Sequence, residues 1–301
     1  MALSQTDTVK PIRQGLVAIG EALIDAVAAV GVEDLSQATT LRLLAGGSPA
    51  NLCRFVTQSG GRAQLVAAIG NDGLGKLLLR QLVATGLNTQ YVQLLNDHAT
   101  SLVVVASSTS TPEFIAYHDA DQYLGMVDEA LLRQASVVHT TAFALSRAPA
   151  RSNILRALSK VQAEGGTISL DWNYAEPVWG RENAARQVFD QLMAMRPLLK
   201  VSLDDLQRFT ATQLDIEGAK HYLALLPTRI VCLTCGAAEV WFRADGEWQH
   251  RPSIATEVID ATGAGDAFWA GFLTSWMQQQ TTETCVHNAL ATAAKRLAGA
   301  L

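Results

Sequence analysis

Short apolar runs recur along the chain, separated by longer stretches in which apolar residues return every three or four positions. Gly15 to Gly20, Gln64 to Ile69, Ser136 to His139, Thr167 to Asp171, Leu198 to Ser202 and Arg229 to Thr234 have the length and near-continuous apolarity of strands buried on both faces of a parallel sheet. Between them, helical periodicity covers Pro49 to Ser59, Leu74 to Thr85, Arg151 to Glu164, Glu182 to Met195 and Ile216 to Leu225, the first with Ser48 as its cap and Pro49 in its first turn. This alternation predicts an α/β fold, a three-layer, doubly wound, mostly parallel sheet with helices on both faces. Two stretches break the rhythm, Leu23 to Leu44 and Ser101 to Tyr117. The second holds Leu102-Val103-Val104-Val105-Ala106 and Glu113-Phe114-Ile115-Ala116-Tyr117. Both read as strands without crossover helices. They predict a small β-sheet lid over an active site, inserted as segments of about 23–44 and 101–118 in one domain spanning 1–301.

A chain of 301 residues can bury one large core, and no linker, repeat or low-complexity tract divides it. The formal net charge of -5, with 17% charged residues, argues against a nucleic-acid surface. Met1 to Arg13 is polar and lacks the apolar core of a signal peptide, and no apolar run reaches bilayer length. A cytoplasmic protein without membrane partners is expected. Cys232-Leu233-Thr234-Cys235 spells CxxC, but within a buried strand residues three apart point to opposite faces. Cys53 and Cys285 stand alone, so the cysteines read as structural rather than as a zinc site.

The chemistry concentrates in Asp260-Ala261-Thr262-Gly263-Ala264-Gly265-Asp266, followed by an apolar helical run from Ala267 to Met277. Gly263 and Gly265 allow a sharp turn whose N–H groups converge on an anion, and the helix dipole adds to that attraction. Asp266 at the helix start could take a proton from an attacking hydroxyl. The plainer alternative is that Asp266 only caps the helix and the glycines only turn the chain. A rival phosphate loop, Gly70-Asn71-Asp72-Gly73-Leu74-Gly75-Lys76, matches GxxxxGK, yet Leu77 stands where a hydroxyl must hold magnesium. It reads as a strand-to-helix turn with Lys76 on a solvated face. Gly46-Gly47-Ser48-Pro49-Ala50 lacks the closing glycine of a nucleophile elbow.

Two blocks together carry a resemblance. Gly46-Gly47-Ser48-Pro49-Ala50-Asn51, continuing to Gly60-Gly61 and Ala68-Ile69-Gly70-Asn71-Asp72-Gly73-Leu74-Gly75, is similar to the N-terminal signature of the ribokinase-like (PfkB) carbohydrate kinases. Asp260-Ala261-Thr262-Gly263-Ala264-Gly265-Asp266-Ala267-Phe268 is similar to their C-terminal signature. Gly20-Glu21-Ala22-Leu23-Ile24-Asp25 and Asp171-Trp172-Asn173-Tyr174 point to the fructokinase-like branch. The resemblance implies a ribokinase-like fold and ATP-dependent phosphorylation of a sugar's primary hydroxyl. Asp266 would be the general base, and Gly263, Ala264 and Gly265 with Asp266 the anion hole. Asp25, Gly46, Gly47 and Asn51 would meet the sugar. Asn173, Ser202, Thr234, Gly236, Gly263 and Gly265 would meet the nucleotide. Asp205 would reach Mg2+ through water, and Asp260 would serve a monovalent cation.

Departures from the family pattern shape the remaining expectations. Ser202 and Asp205 are shorter than the Asn and Glu common in relatives, and Glu239 replaces the last glycine of a TxGxxG loop. Ala175 and His118 stand where acid-binding relatives carry Arg, so a neutral ketohexose such as fructose is expected rather than a keto-deoxy acid. The chain stops at Leu301, which leaves few carbonyls for a monovalent cation. Potassium independence is expected, with Asp260 held by backbone N–H groups or solvent instead. ATP and Mg2+ are the implied cofactors. Nucleoside kinase, 2-keto-3-deoxygluconate kinase and a non-catalytic sugar- or nucleotide-binding regulator are the alternatives. A homodimer paired through apolar lid faces is compatible with the pattern.

Overall fold

The computed structural model describes residues 13–28, 32, 34–106, 114–180, 184–244 and 246–301. The polar opening before Arg13, Glu113 and Glu182 lie outside them, as do parts of both lid segments. The strands are β1 Leu16–Ile19, β2 Leu23–Ala28, β3 Leu41–Gly46, β4 Ala63–Gly70, β5 Val92–Leu95, β6 Leu102–Val105, β7 Phe114–Tyr117, β8 Val137–Thr141, β9 Thr167–Asp171, β10 Leu198–Ser202, β11 Ile230–Cys235, β12 Glu239–Ala244 and β13 Trp248–Pro252, most of them at the apolar runs. Among the described residues, nine of them make one sheet in the order β13-β12-β11-β10-β9-β8-β1-β4-β5. It is parallel from β11 to β5, and β12 and β13 return antiparallel.

Alternation along each strand builds the three layers. In β1, Val17 and Ile19 join one buried apolar cluster, while Leu16 and Ala18 join the other. The first cluster is closed by helices Ala150–Ala163, Ala184–Met193 and Ile216–Ala224, and the second by Ser48–Gln58, Gly73–Ala84 and Ala264–Met277. Trp172, Trp179 and Phe189 pack together in the first, with the Trp172 and Phe189 rings 4.8 Å apart. Burial of each such ring contributes on the order of 2–3 kcal/mol. In the second, Trp269 Nε1 donates to Ser169 Oγ at 2.8 Å, and Ser169 also meets His139 Nδ1 at 2.9 Å. These bonds fix the Ala264–Met277 helix against β8 and β9.

The second sheet has the order β3-β2-β6-β7, with β2 and β6 parallel and the outer pairs antiparallel. It is the lid. Leu41, Leu43, Leu44, Ile115 and Tyr117 remain exposed on it. Three local expectations are corrected. Gly47, at φ 96°, is the cap of the Ser48–Gln58 helix, and Ser48 is its first residue, because the Ser48 N–H and hydroxyl are bonded elsewhere. The helix expected from Ala267 begins earlier, at Ala264, behind a left-handed Gly263 cap at φ 73°, so Asp266 lies in its first turn and is not its cap. Strands β5, β12 and β13 are additional, since polar residues interrupt their apolar pattern.

Candidate active site

Parallel strands end on one edge of the sheet, and α/β folds bind ligands there. Thr141, Asp171, Ser202 and Cys235 close β8, β9, β10 and β11 on that edge, and Glu21 follows β1. The chain between β1 and the first long helix makes the lid hairpin of β2 and β3, whose register sets Asp25 opposite Leu44 and Leu23 opposite Gly46. Gly46 has no room for a side chain because the Asp25 carboxylate lies against it. At Gly47 a Cβ would come within 2.5 Å of the Glu21 carbonyl. Glu21 is buried, accepts from Ser48 N at 3.0 Å and from Thr141 Oγ1 at 3.1 Å, and so pins the turn that presents Ser48 and Asn51. Burial pushes its pKa well above the usual carboxylate range.

Ser48 and Asn51 converge on Asp266. The Ser48 hydroxyl donates to Asp266 Oδ1 at 2.6 Å and Asn51 Nδ2 donates to Oδ2 at 2.9 Å. Residues more than 200 positions apart thus hold one carboxylate at the first turn of a helix. Burial raises the Asp266 pKa, with Ser48, Lys200, Asn51 and Arg54 opposing that rise. A carboxylate with a raised pKa and fixed orientation, beside a glycine turn at a helix N-terminus, is suited to accept a hydroxyl proton while an anion is held close by.

Below this turn lies a cavity of about 500 Å3. Ser202, Asp205, Thr234 and Gly236 line it together with Ala264 and Gly265, and Val258, Phe268, Leu290 and Leu297 supply apolar walls. Its size and mixed lining fit a nucleotide. Glu239 does not open the β11–β12 hairpin: it pairs with Cys235, and Gly236 takes the turn at φ 57°. Asp205 accepts from Ser202 Oγ at 2.6 Å and from Arg208 Nη1 at 2.8 Å. Burial raises its pKa, with Ser202, Lys200 and Arg208 opposing. Asn173 is not among the lining residues; its Oδ1 accepts from Phe143 N at 3.2 Å.

Sequence reasoning missed Lys200, which reaches this cavity from β10. Its Nζ lies 2.7 Å from Asp171 Oδ2, both side chains are buried, and a Cβ on Gly265 would stand 2.9 Å from it. Burial works against the charge, but Asp171, Asp266 and Asp205 outweigh it and hold the ammonium above the ordinary lysine value. A lysine inside an apolar strand was the available signal, since such a charge needs a buried partner.

A second pocket of about 320 Å3 lies beneath the lid, lined by Asp25, Asn51, Arg54, Asp260, Thr262 and Arg296 among others. Arg296 Nη2 donates to Asp260 Oδ2 at 2.6 Å, and Asp260 Oδ1 accepts from Thr262 N at 2.9 Å. The expectation that Asp260 is held by backbone N–H groups or solvent is therefore met only in part. Lys76 is exposed, and Asp72 caps its helix by accepting from Gly75 N at 2.7 Å, as a strand-to-helix turn requires. No helix is long and apolar enough to cross a membrane among the described residues, and none of their His, Cys, Asp and Glu side chains cluster as a metal site.

Comparison with known proteins gives the same assignment. The chain is 31% identical over 281 residues to an ATP-dependent 6-phosphofructokinase of Thermoanaerobacterium thermosaccharolyticum, covering 93% of this chain and 86% of that relative. It is 30% identical over 253 residues to a fructokinase of Escherichia coli, covering 81% of each. The solved structure of Halothermothrix orenii fructokinase superposes with a TM-score of 0.83 at 29% identity, covering 93% of this chain and 98% of that one. The sequence profile of the pfkB family carbohydrate kinases matches residues 13–298, and with a buried carboxylate, a glycine turn and a nucleotide-sized cavity in place, this chain belongs to that family and is a sugar kinase.

Proposed function

We infer that the protein transfers the terminal phosphoryl group of ATP to a primary hydroxyl of a free neutral ketohexose, fructose being the best candidate. The observation that carries this is the Asp266 carboxylate, fixed by Ser48 and Asn51 in the first turn of the Ala264–Met277 helix. Asp266 takes the hydroxyl proton, and the N–H groups around Gly263, Ala264 and Gly265 receive the charge of the moving phosphoryl group, with Lys200 behind Gly265. Asp25, Gly46, Gly47 and Asn51 orient the sugar. Thr234, Gly236 and Ser202 hold the nucleotide, and Asn173, through Phe143 N, steadies the turn that follows β8. ATP-bound relatives, including a putative Escherichia coli ribokinase II with Mg2+, support these cofactors. Magnesium, when bound, neutralises phosphate oxygens; Asp205, at the cavity wall, would reach it through water.

Fructokinase relatives and the absence of a guanidinium at Ala175 and His118 support a neutral acceptor. Trp172, Trp179 and Trp269 are buried in the core, so they offer no platform for a nucleobase and do not favour a nucleoside acceptor. The Asp260–Arg296 pair supports independence from potassium. Exposed lid leucines are compatible with a homodimer, and a cytoplasmic location suits a reaction that draws on ATP. A coupled ADP-release assay over ketohexoses, aldohexoses, 2-keto-3-deoxygluconate and nucleosides tests the proposal. Fructose should give the highest specificity constant, and ADP release with nucleosides alone would sink it.

A further inference from the structure

The chain that leads into the glycine turn has little packing to hold it. From Ser253 to Ala261 it forms no regular element, and Ile254, Val258 and Ile259 are exposed. Two bonds tie it to the C-terminal end of the Thr282–Leu297 helix. Ile259 N donates to Leu297 O at 2.8 Å, and Arg296 Nη2 donates to Asp260 Oδ2 at 2.6 Å. The other oxygen of Asp260 accepts from the N–H of Thr262, the residue before the left-handed Gly263. One carboxylate thus links the Arg296 guanidinium to the start of the turn.

The resemblance implies a monovalent cation at Asp260, and the residues present do not fit one. Both Asp260 oxygens are engaged, one by a guanidinium and one by a backbone N–H. Arg54 lines the same pocket, and its pKa is lowered by burial first and then by the Arg296 charge, so two fixed cations crowd this place. A free cation there would meet repulsion and few free oxygens. Arg296 has a side chain 12% exposed, against 48% for Asp260. A pair with one partner so exposed adds little to global stability, and its consequence is local: it sets how the turn points.

We propose that the Arg296 guanidinium is the built-in cation of the anion turn: through Asp260 it positions Thr262 to Gly265 for the moving phosphoryl group, and it stands where a free monovalent cation would otherwise be required. This rests on the assignment of Gly263, Ala264 and Gly265 as the turn that receives the phosphoryl charge. Arg296 is a positioning residue, since it acts through Asp260. A planar fork tethered to a helix end gives Asp260 a directed, charge-assisted hydrogen bond, and no ion has to shed its hydration shell to supply it.

Initial rates of ADP release, at saturating ATP and the parent's best sugar acceptor, are measured for the parent, Arg296→Ala and Arg296→Lys. Each is assayed in tetramethylammonium, potassium and guanidinium chlorides at equal, low ionic strength. In tetramethylammonium, Arg296→Ala should lose about 10- to 100-fold in kcat, with KM for the sugar within about twofold of the parent, as expected when the support of a catalytic group shifts. Guanidinium and, to a smaller extent, potassium should restore part of that loss, and Arg296→Lys should retain more activity than Arg296→Ala. The parent should respond to neither ion. Rescue by a diffusible cation is a result that lost packing does not produce. Parental kcat in Arg296→Ala overturns the proposal, and so does a loss that neither cation relieves or strong potassium activation of the parent. Asp260→Asn covers the case in which Arg296→Ala fails to fold. Its kcat should fall by a similar factor and gain nothing from either cation, because the carboxylate that would bind it is gone; full activity of this variant overturns the proposal as well. ADP release by the parent that does not depend on any sugar overturns the kinase assignment, and the proposal with it.

Discussion

Replacing Lys200 by Met removes a buried charge from two places at once. At 2.7 Å and an effective dielectric of 20, attraction to Asp171 is worth roughly 6 kcal/mol, against which the desolvation of both ions must be set. Breaking such a pair by deleting one partner typically costs about 3–5 kcal/mol, since Asp171 would be left buried and uncompensated. The Asp171 Oδ1 atom already has no hydrogen-bond partner, so there is no second donor to absorb the loss. Catalysis should fall separately. With the ammonium gone from behind Gly265, the anion turn loses a preorganised cation, a change on the order of 100- to 1000-fold in kcat. Lys200→Met combined with Asp171→Asn separates the effects. Urea denaturation of the double variant should return to within about 2 kcal/mol of the parent, while coupled ADP release at saturating sugar and ATP should stay low. Recovery of kcat together with stability would refute the catalytic part and leave Lys200 a purely structural residue.

Three further outcomes are expected. Asp266→Asn should lower kcat by about two to four orders of magnitude with ATP binding nearly unchanged, and in the parent kcat should rise with pH through a midpoint above the usual carboxylate range; near-normal turnover of the variant would end the mechanism. Asp25, with a folded pKa of about 7 against roughly 3.9 unfolded, contributes stability that is fully present below pH 4 and lost as pH rises through 7. The stabilisation of Asp25→Asn over the parent should therefore grow by roughly 2–3 kcal/mol between pH 5 and pH 8 in denaturation curves, and a constant difference would contradict the burial argument. Initial rates in potassium and in a bulky organic cation at equal ionic strength should agree within about twofold, because Arg296 already balances Asp260; strong potassium activation would mean that the ion is bound elsewhere.

Much of the fold follows from local pattern. Six of the seven parallel strands are continuous apolar runs, and β5, the exception, is an edge strand whose Gln93 interrupts the pattern. β12 and β13 escape for the same reason, as Glu239, Arg243, His250 and Arg251 face a partly solvated edge. In the site, Gly263, Gly265 and Asp266 are legible because backbone conformation and chemistry fall within four consecutive residues. Ser48 reads locally as a helix cap, since nothing nearby in sequence reveals Glu21 and Asp266 as its partners. Arg54 reads as one polar position in an amphipathic helix; only the lid and the Asp260 turn, brought in by tertiary contacts, make it part of a pocket.

Asp266 has both oxygens engaged by protein donors while no sugar is present. Each carboxylate oxygen keeps a second lone pair, so a hydroxyl can join Ser48 and Asn51 on Asp266 without replacing either. The two donors come from one helix and their acceptor from another, so the plane of the carboxylate is fixed before any sugar arrives. If Asp266 is the base, the cost of orienting it is met on folding rather than at each turnover.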